Sequence, residues 1–242
     1  VWTLWSVRCS FFTPGDGMEL TTKQKYLSAA GLLLVATAAV KVIGAVYKIP
    51  LTGLIGGTGR GYFSTAYTLF MPVHAITLGA FPVALSGLVS KYRATGDSAR
   101  VAALQRSACG LFFWVGLAGT ALMVLLAGPY TRLVAGAPKA VYTVLILAPT
   151  ALFSAMAAAH RAFAEGHLNM VPTSVCQVLE ALFKMVFGLL FAKLSMGRLY
   201  QIYLDTGMVL GNRAESETAA LSMMYPVTAA CAMLGVTLGA LV

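Results

Sequence analysis

Three polar residues interrupt an otherwise apolar stretch near residue 180, at spacings that a helix brings to one side. Gln177, Glu180 and Lys184 stand at i, i+3 and i+7. Glu180 precedes Lys184 by four residues, which is the favourable order for an ion pair along a helix. One interpretation is a pair that lets two charges enter a membrane, and the other is a polar stripe that faces a water-filled cavity. The two are compatible, and Gln177 on the same face favours the cavity.

A single cation, Lys41, lies within another apolar stretch. A charge near the centre of a bilayer costs roughly 2.5–3.5 kcal/mol on insertion scales, so such residues usually face a cavity or a partner. The alternative is that the long stem of Lys41 reaches the membrane interface close to Lys48. We favour the first interpretation, because the position lies inside the apolar stretch.

No arrangement of residues supports enzymatic chemistry. The sequence has no nucleophile and base at a catalytic spacing, no paired carboxylates and no cluster of metal ligands. Residues 56–59 are rich in glycine but lack the Lys-Ser/Thr pair of a phosphate-binding loop, and they indicate a tight extracellular turn. We therefore expect a protein that is not an enzyme and that carries no catalytic residue, metal or cofactor.

The elements that position these residues must be membrane helices. Of the 242 residues, 59% are hydrophobic and only 10% are charged, against about 25% charged in a typical soluble domain. The net charge of +9 would suggest a nucleic acid partner in a soluble protein, but no soluble basic domain is present to bind one. Composition therefore predicts an all-α, multi-pass membrane protein with no nucleic acid partner, in contact with phospholipid.

Six apolar stretches are long enough to cross a bilayer as helices. They cover about residues 28–47, 62–90, 107–131, 140–160, 172–194 and 218–242. Basic residues before the first stretch and between the second and third predict a cytoplasmic N-terminus in the cytoplasmic membrane. Residues 1–23 do not resemble a signal peptide, and Met18 is the first candidate start. We therefore expect an atypical leader over 1–23, which is not native before Met18, and a six-helix unit over 24–242.

The second stretch contains residues that bend helices, namely Pro72, Gly79 and Pro82. Proline removes a backbone donor and kinks a helix, and broken helices often line the substrate path of transporters. The alternative is the ordinary tolerance of membrane helices for proline and glycine. The residues leave both interpretations open.

Three longer motifs resemble one family. They are KVIG and VYKIPLT at 41–52, GAFPVALS with VSKY at 79–92, and RAF, G, NM, PT and Q177–E180 from residue 161 onward. Together they resemble the polysaccharide biosynthesis and stage V sporulation protein B (SpoVB) family of the MATE-like exporter superfamily, which is related to the MurJ lipid II flippases. The resemblance covers residue 24 to the end. It implies one lobe of a two-lobe transporter, with the C-terminal lobe missing.

The resemblance implies a flippase that moves a lipid-linked oligosaccharide or peptidoglycan precursor across the membrane by alternating access. It implies that Lys41 and Lys48 contact the diphosphate of the lipid-linked sugar, with Lys48 offset by one residue from the family position. Gln177, Glu180 and Lys184 would line the cavity, and Pro72, Gly79 and Pro82 would let the second helix bend. Arg161 and Asn169 match family positions that act as a gate or an anchor. The coupling ion, H+ or Na+, is left open.

Two other hypotheses remain. A cation-coupled multidrug or solute exporter of the same superfamily requires an essential acid in the membrane, for which Glu180 is the candidate. The pairing of Glu180 with Lys184 argues against that role. Since a lone lobe cannot enclose a cavity between two lobes, the chain could also be an inactive fragment or a scaffold for cell-wall synthases.

Overall fold

The computed structural model describes residues 22–209, 212–213 and 216–240, and these are almost entirely helical. The α-helices are α1 (Thr22–Leu78), α2 (Phe81–Ala94), α3 (Ser98–Pro129), α4 (Val141–Leu147), α5 (Pro149–Gly166), α6 (Val171–Thr206) and α7 (Glu217–Gly239). A π-helical turn (Tyr130–Val134) and a 3-10 turn (Pro138–Ala140) connect α3 to α4. A short antiparallel hairpin of β1 (Met208–Val209) and β2 (Asn212–Arg213) separates α6 from α7.

Within the described residues, five helical paths are long and apolar enough to cross a membrane: Gly31–Ala94, Ala99–Val134, Pro138–Gly166, Val171–Thr206 and Glu217–Gly239. Large apolar side chains face outward on them, including Leu133 at 85% exposure and Ile76 at 79%. In water such surfaces would be costly, whereas in lipid they are the expected outer face. The predicted fold class, an all-α membrane protein, is confirmed.

The first path contains a break that separates the first two predicted spans. It is 64 residues long, far more than the roughly 20 residues that a bilayer requires. Gly56 leaves the helical region with φ 63° and ψ −178°, so α1 consists of two helical halves that meet at this residue. The turn predicted over residues 56–59 is therefore confined to Gly56. Splitting the path there gives six helical segments.

Gly56 is required at this break for two reasons. Its positive φ lies in a region that residues with a Cβ rarely adopt. A Cβ at this position would also lie 2.7 Å from Cζ of Tyr225 on α7. The ring of Tyr225 thus packs directly against the bend between the two halves of α1.

A second interruption falls at Gly79 and Ala80, between α1 and α2. Pro82 occupies the first turn of α2, where its missing N–H removes no intrahelical hydrogen bond. Pro72 lies inside the second half of α1. The second predicted span is therefore two helices in series.

The most extensive helix contact joins α6 and α7. Gly188 of α6 and Gly235 of α7 approach so closely that a Cβ on Gly235 would meet the backbone of Gly188 and Phe187. Small residues allow this close approach, which favours packing between helices in lipid. A buried hydrogen bond of 3.0 Å between the hydroxyls of Thr150 and Thr237 ties α5 to α7 as well. These contacts pack α7 against both α6 and α5.

Several helices extend beyond the predicted stretches. The fifth stretch, about residues 172–194, lies within α6, which runs on to Thr206. The extension of α6 carries polar residues that a search for apolar runs does not count. Residues 1–21 of the proposed leader, with Met18, and the last two residues of the sixth stretch lie outside the described residues.

Candidate substrate cavity

A cavity of about 590 Å³ lies between the two halves of α1 and the middle of α6. The bend at Gly56 lets residues on either side of it contribute to the same wall. Helix α7 adds Val236 from behind. The polar and aromatic residues of the lining are Tyr47, Lys48, Thr52, Arg60, Phe63, Ser64, Tyr67, Gln177, Glu180 and Lys184.

Positive charge predominates in this lining. Lys48 comes from the first half of α1, Arg60 from the second half, and Lys184 from α6. Among the described lining residues Glu180 is the one carboxylate. Lys48 and Arg60 are exposed, and Lys184 is already paired with Glu180. The lining therefore carries an excess of positive charge with which an anion can form charge-assisted hydrogen bonds.

Glu180 connects two of the helices through ion pairs. Its Oε1 accepts a hydrogen bond from Nζ of Lys184 at 2.6 Å, and its Oε2 lies 3.3 Å from Nη1 of Arg161 on α5. The side chains are only partly exposed, at 24% for Arg161, 22% for Glu180 and 30% for Lys184. Partial burial strengthens such pairs relative to those on a surface. The group therefore holds α5 and α6 in a fixed relation at the cavity.

An aromatic row forms part of the wall. The rings of Phe63 and Tyr67 lie 5.2 Å apart, and Tyr67 meets Phe70 edge-on at 6.2 Å. Phe70 in turn stacks on His74 at 5.1 Å. His74 lies 3.4 Å from the Ser154 hydroxyl, which agrees with a structural histidine. Phe63 and Tyr67 thus bring aromatic rings to the lining of the cavity.

The structure brings four of the five predicted cavity residues together. Lys48, Gln177, Glu180 and Lys184 all line the cavity. The prediction that a single face of the helix holds the last three agrees with their position on α6. Lys41 is exposed and is not among the lining residues, although its neighbour Val40 is.

The other predicted site residues lie outside the lining. Pro72, Gly79 and Pro82 are on the helical path beyond the cavity. Arg161 reaches the cavity only through Glu180. Asn169 accepts a hydrogen bond of 3.2 Å from the N–H of Val171, so it supports the start of α6.

Arg60 is the charged residue of the lining that sequence reasoning missed. The predicted spans over about residues 28–47 and 62–90 leave it between them. The residue follows the bend at Gly56 by four positions, about one helical turn. A cation one turn after a glycine-rich interruption in a long apolar path is the signal that could have identified it.

No group of three or more His, Cys, Asp or Glu side chains in the described part of the chain could hold a metal ion.

Comparisons with known proteins identify the family of the chain and two curated relatives. The profile of the family described as polysaccharide biosynthesis protein matches residues 27–205. The chain is 28% identical to the lipid II flippase MurJ of Bacillus subtilis (strain 168), over 67% of this chain and 31% of that protein. It is 25% identical to stage V sporulation protein B of the same organism, over 65% of this chain and 30% of that protein. The chain thus spans about a third of the length of these curated relatives, and no solved structure matches it significantly.

Proposed function

The chain belongs to the polysaccharide biosynthesis protein family, and we propose that it takes part in moving a lipid-linked sugar diphosphate across the cytoplasmic membrane. The observation that carries this proposal is the charge of the cavity. Three cations and one carboxylate line a space between membrane helices. Two relatives are named as a lipid II flippase and a sporulation protein, and the first of these names agrees with such a substrate.

The chemistry of the substrate explains why cations are needed. A diphosphate must leave water to cross the hydrocarbon layer, and an unpaired charge there costs many kcal/mol. Lys48 and Lys184 bind phosphate as point charges, while the planar guanidinium of Arg60 binds two oxygens at once. The cavity thus combines both kinds of phosphate ligand. We assign the diphosphate to these three side chains.

The remaining lining suits the rest of the substrate. Flat aromatic faces, such as those of Phe63 and Tyr67, pack against the apolar face of a sugar ring. Gln177 and Ser64 offer hydrogen-bond partners to sugar hydroxyls. The prediction that Lys41 contacts the diphosphate stays a prediction, because Lys41 is not among the residues that line the cavity.

Transport would proceed by alternating access, with this unit as the N-terminal lobe of a two-lobe protein. The bends near Gly56 and Gly79 are the places where the helices change direction. We propose a cytoplasmic N-terminus, from the excess of basic residues before the first span and between the second and third.

Glu180 keeps a second candidate function open, a cation-coupled exporter of drugs or solutes. It is the one acid among the described lining residues. Its two cationic partners argue against a free proton or sodium site. Loss of drug efflux in Glu180→Gln, with no flipping of lipid-linked sugar by the wild type, would favour the exporter.

The test uses the natural polypeptide that contains this sequence, reconstituted in liposomes. A fluorescent polyprenyl-diphosphate sugar is loaded in one leaflet, and its appearance in the other leaflet is followed over time. The same sugar linked to a polyprenol without the diphosphate is the matched control. We expect transfer of the diphosphate lipid alone, and equal transfer of both lipids, or of neither, would refute the proposal.

A further inference from the structure

Glu180 forms an ion pair with Lys184, one of the three cations of the cavity lining. Binding of a diphosphate does not by itself require this carboxylate. Its Oε1 accepts the hydrogen bond from Lys184 at 2.6 Å, which is short for an N–H donor. Arg161, which does not line the cavity, lies 3.3 Å from the other oxygen. The order Arg161, Glu180, Lys184 therefore runs from the helix interface into the cavity.

The two partners of Glu180 differ in how freely they can leave it. Arg161 lies on α5 and does not line the cavity. Lys184 lies on the same helix as Glu180, and its flexible stem ends in a compact ammonium group. Gly239 of α7 packs so closely against the base of this stem that a Cβ there would lie 2.5 Å from Cγ of Lys184. Movement of Lys184 is therefore confined to the outer stem and the ammonium group, which line the cavity. Lys184 is thus the partner that can turn towards a bound anion.

From this geometry, and resting on the proposed function, we propose that Glu180 competes with the diphosphate of the substrate for Lys184. Without substrate, Lys184 pairs with Glu180. When a diphosphate enters, the ammonium group of Lys184 leaves Glu180 and pairs with a phosphate oxygen. Arg161 continues to neutralise the negative charge of Glu180. On release the ammonium group returns to Glu180 and helps to displace the anion.

This arrangement weakens binding and speeds release. A cavity whose cations had no internal competitor would bind a diphosphate tightly and release it slowly, because charge-assisted hydrogen bonds are strong. Transport requires an affinity high enough for entry but low enough for exit. Glu180 therefore acts as a positioning residue that sets the affinity, and it does not need to touch the substrate.

The diagnostic change is Glu180→Gln, which keeps the shape and removes the charge. We expect it to tighten binding of farnesyl diphosphate by about tenfold, since one charged competitor is lost. We also expect KM and the maximal flipping rate to fall together, because release becomes slower. A residue with only a structural role would weaken binding or reduce the yield of folded protein when altered, so the direction of the change is informative.

The experiment measures calorimetric binding to the natural polypeptide in nanodiscs. The probes are farnesyl diphosphate, inorganic pyrophosphate and farnesol, and the matched control is Glu165→Gln, an acid on α5 that does not line the cavity. We expect Glu180→Gln to tighten the binding of both diphosphates and to leave the binding of farnesol unchanged. Glu165→Gln should leave the affinity for all three probes unchanged. A much higher affinity for the prenylated form than for pyrophosphate assigns the site to a lipid headgroup, and equal affinities assign it to free diphosphate.

Three results separate the possibilities. If the wild type binds diphosphate and Glu180→Gln binds it equally or more weakly, the competition is wrong. If the binding of farnesol is also tightened, the effect is not electrostatic and the inference is again overturned. If the wild type binds no diphosphate, the proposed function itself fails.

A second variant, Glu180→Asp, tests the same inference if Glu180→Gln does not fold. Glu180→Asp keeps the charge but withdraws the carboxylate by one methylene from Lys184. We expect it to tighten binding by about threefold, through a weakened ion pair. Unchanged or weaker binding by folded Glu180→Asp would overturn the inference.

Discussion

Replacement of Gly235 by alanine tests the packing that supports the cavity. Gly235 of α7 faces Gly188 of α6 so closely that an added Cβ would lie within 3.0 Å of backbone atoms of Gly188 and Phe187. Backbone atoms cannot turn aside as a flexible side chain can. The two helices must therefore move apart, although they share the most extensive contact in the fold.

The size of the effect follows from the kind of clash. Overpacking of a tight contact costs typically about 1–3 kcal/mol, and a clash with backbone belongs at the upper end of that range. Gly197 on α6 provides a matched control, because a Cβ there meets nothing within 4 Å. In a helix, alanine is more favourable than glycine by roughly 0.5–1 kcal/mol. We therefore expect the two variants to differ by about 3 kcal/mol in the free energy of unfolding.

The assay is thermal unfolding in lipid nanodiscs, followed by circular dichroism. A difference of about 3 kcal/mol corresponds to Tm values of the two variants that lie roughly 6–12 °C apart for a chain of this size. Gly197→Ala should unfold at the wild-type temperature or slightly above it. A Gly235→Ala protein as stable as Gly197→Ala would refute the close approach of α6 and α7.

Three further predictions test the bend of α1, a buried pair of hydroxyls and a helix cap by the same thermal assay. Gly56→Ala should lower stability by about 2 kcal/mol or more, because alanine is strained at positive φ and its Cβ would clash with the ring of Tyr225. A Gly56→Ala protein with wild-type stability would contradict the bend at this residue. Thr237→Val should cost about 1 kcal/mol by removing the partner of the Thr150 hydroxyl, and no loss would mean that the pair is absent. Asp97→Ala should cost about 1 kcal/mol, since its side chain caps α3, and an unchanged Tm would argue against that cap.

The sequence predicts the parts of the site that depend on one helix. Gln177, Glu180 and Lys184 share a face because helical periodicity alone places them there, and all three line the cavity. The pair of Glu180 and Lys184 is also local, four residues apart. The fold class likewise follows from composition, because apolar segments in lipid must satisfy their own backbone hydrogen bonds as helices.

The parts that depend on two helices could not be predicted in this way. Arg161 and Glu180 lie 19 residues apart on different helices, and no periodicity relates them. Arg60 enters the cavity only because Gly56 redirects α1, a feature that requires one residue to adopt positive φ. Lys41 is expected to face a cavity because a charge within an apolar stretch has a high free-energy cost in a membrane. That cost alone does not determine which way the side chain faces. A single sequence fixes which residues share a helix face better than which neighbour that face meets.

The most direct test of the central claim is a flipping assay in which Arg60 is replaced by Gln and, separately, by Lys. Lys139→Gln is the matched control, an exposed cation outside the cavity lining. Loss of a charged, bidentate contact to phosphate costs roughly 1.5–3 kcal/mol, so Arg60→Gln should reduce flipping of a polyprenyl-diphosphate sugar by at least about tenfold. Arg60→Lys should retain part of the activity, and Lys139→Gln all of it. Wild-type flipping by a folded Arg60→Gln protein would contradict the assignment of the diphosphate to this cavity.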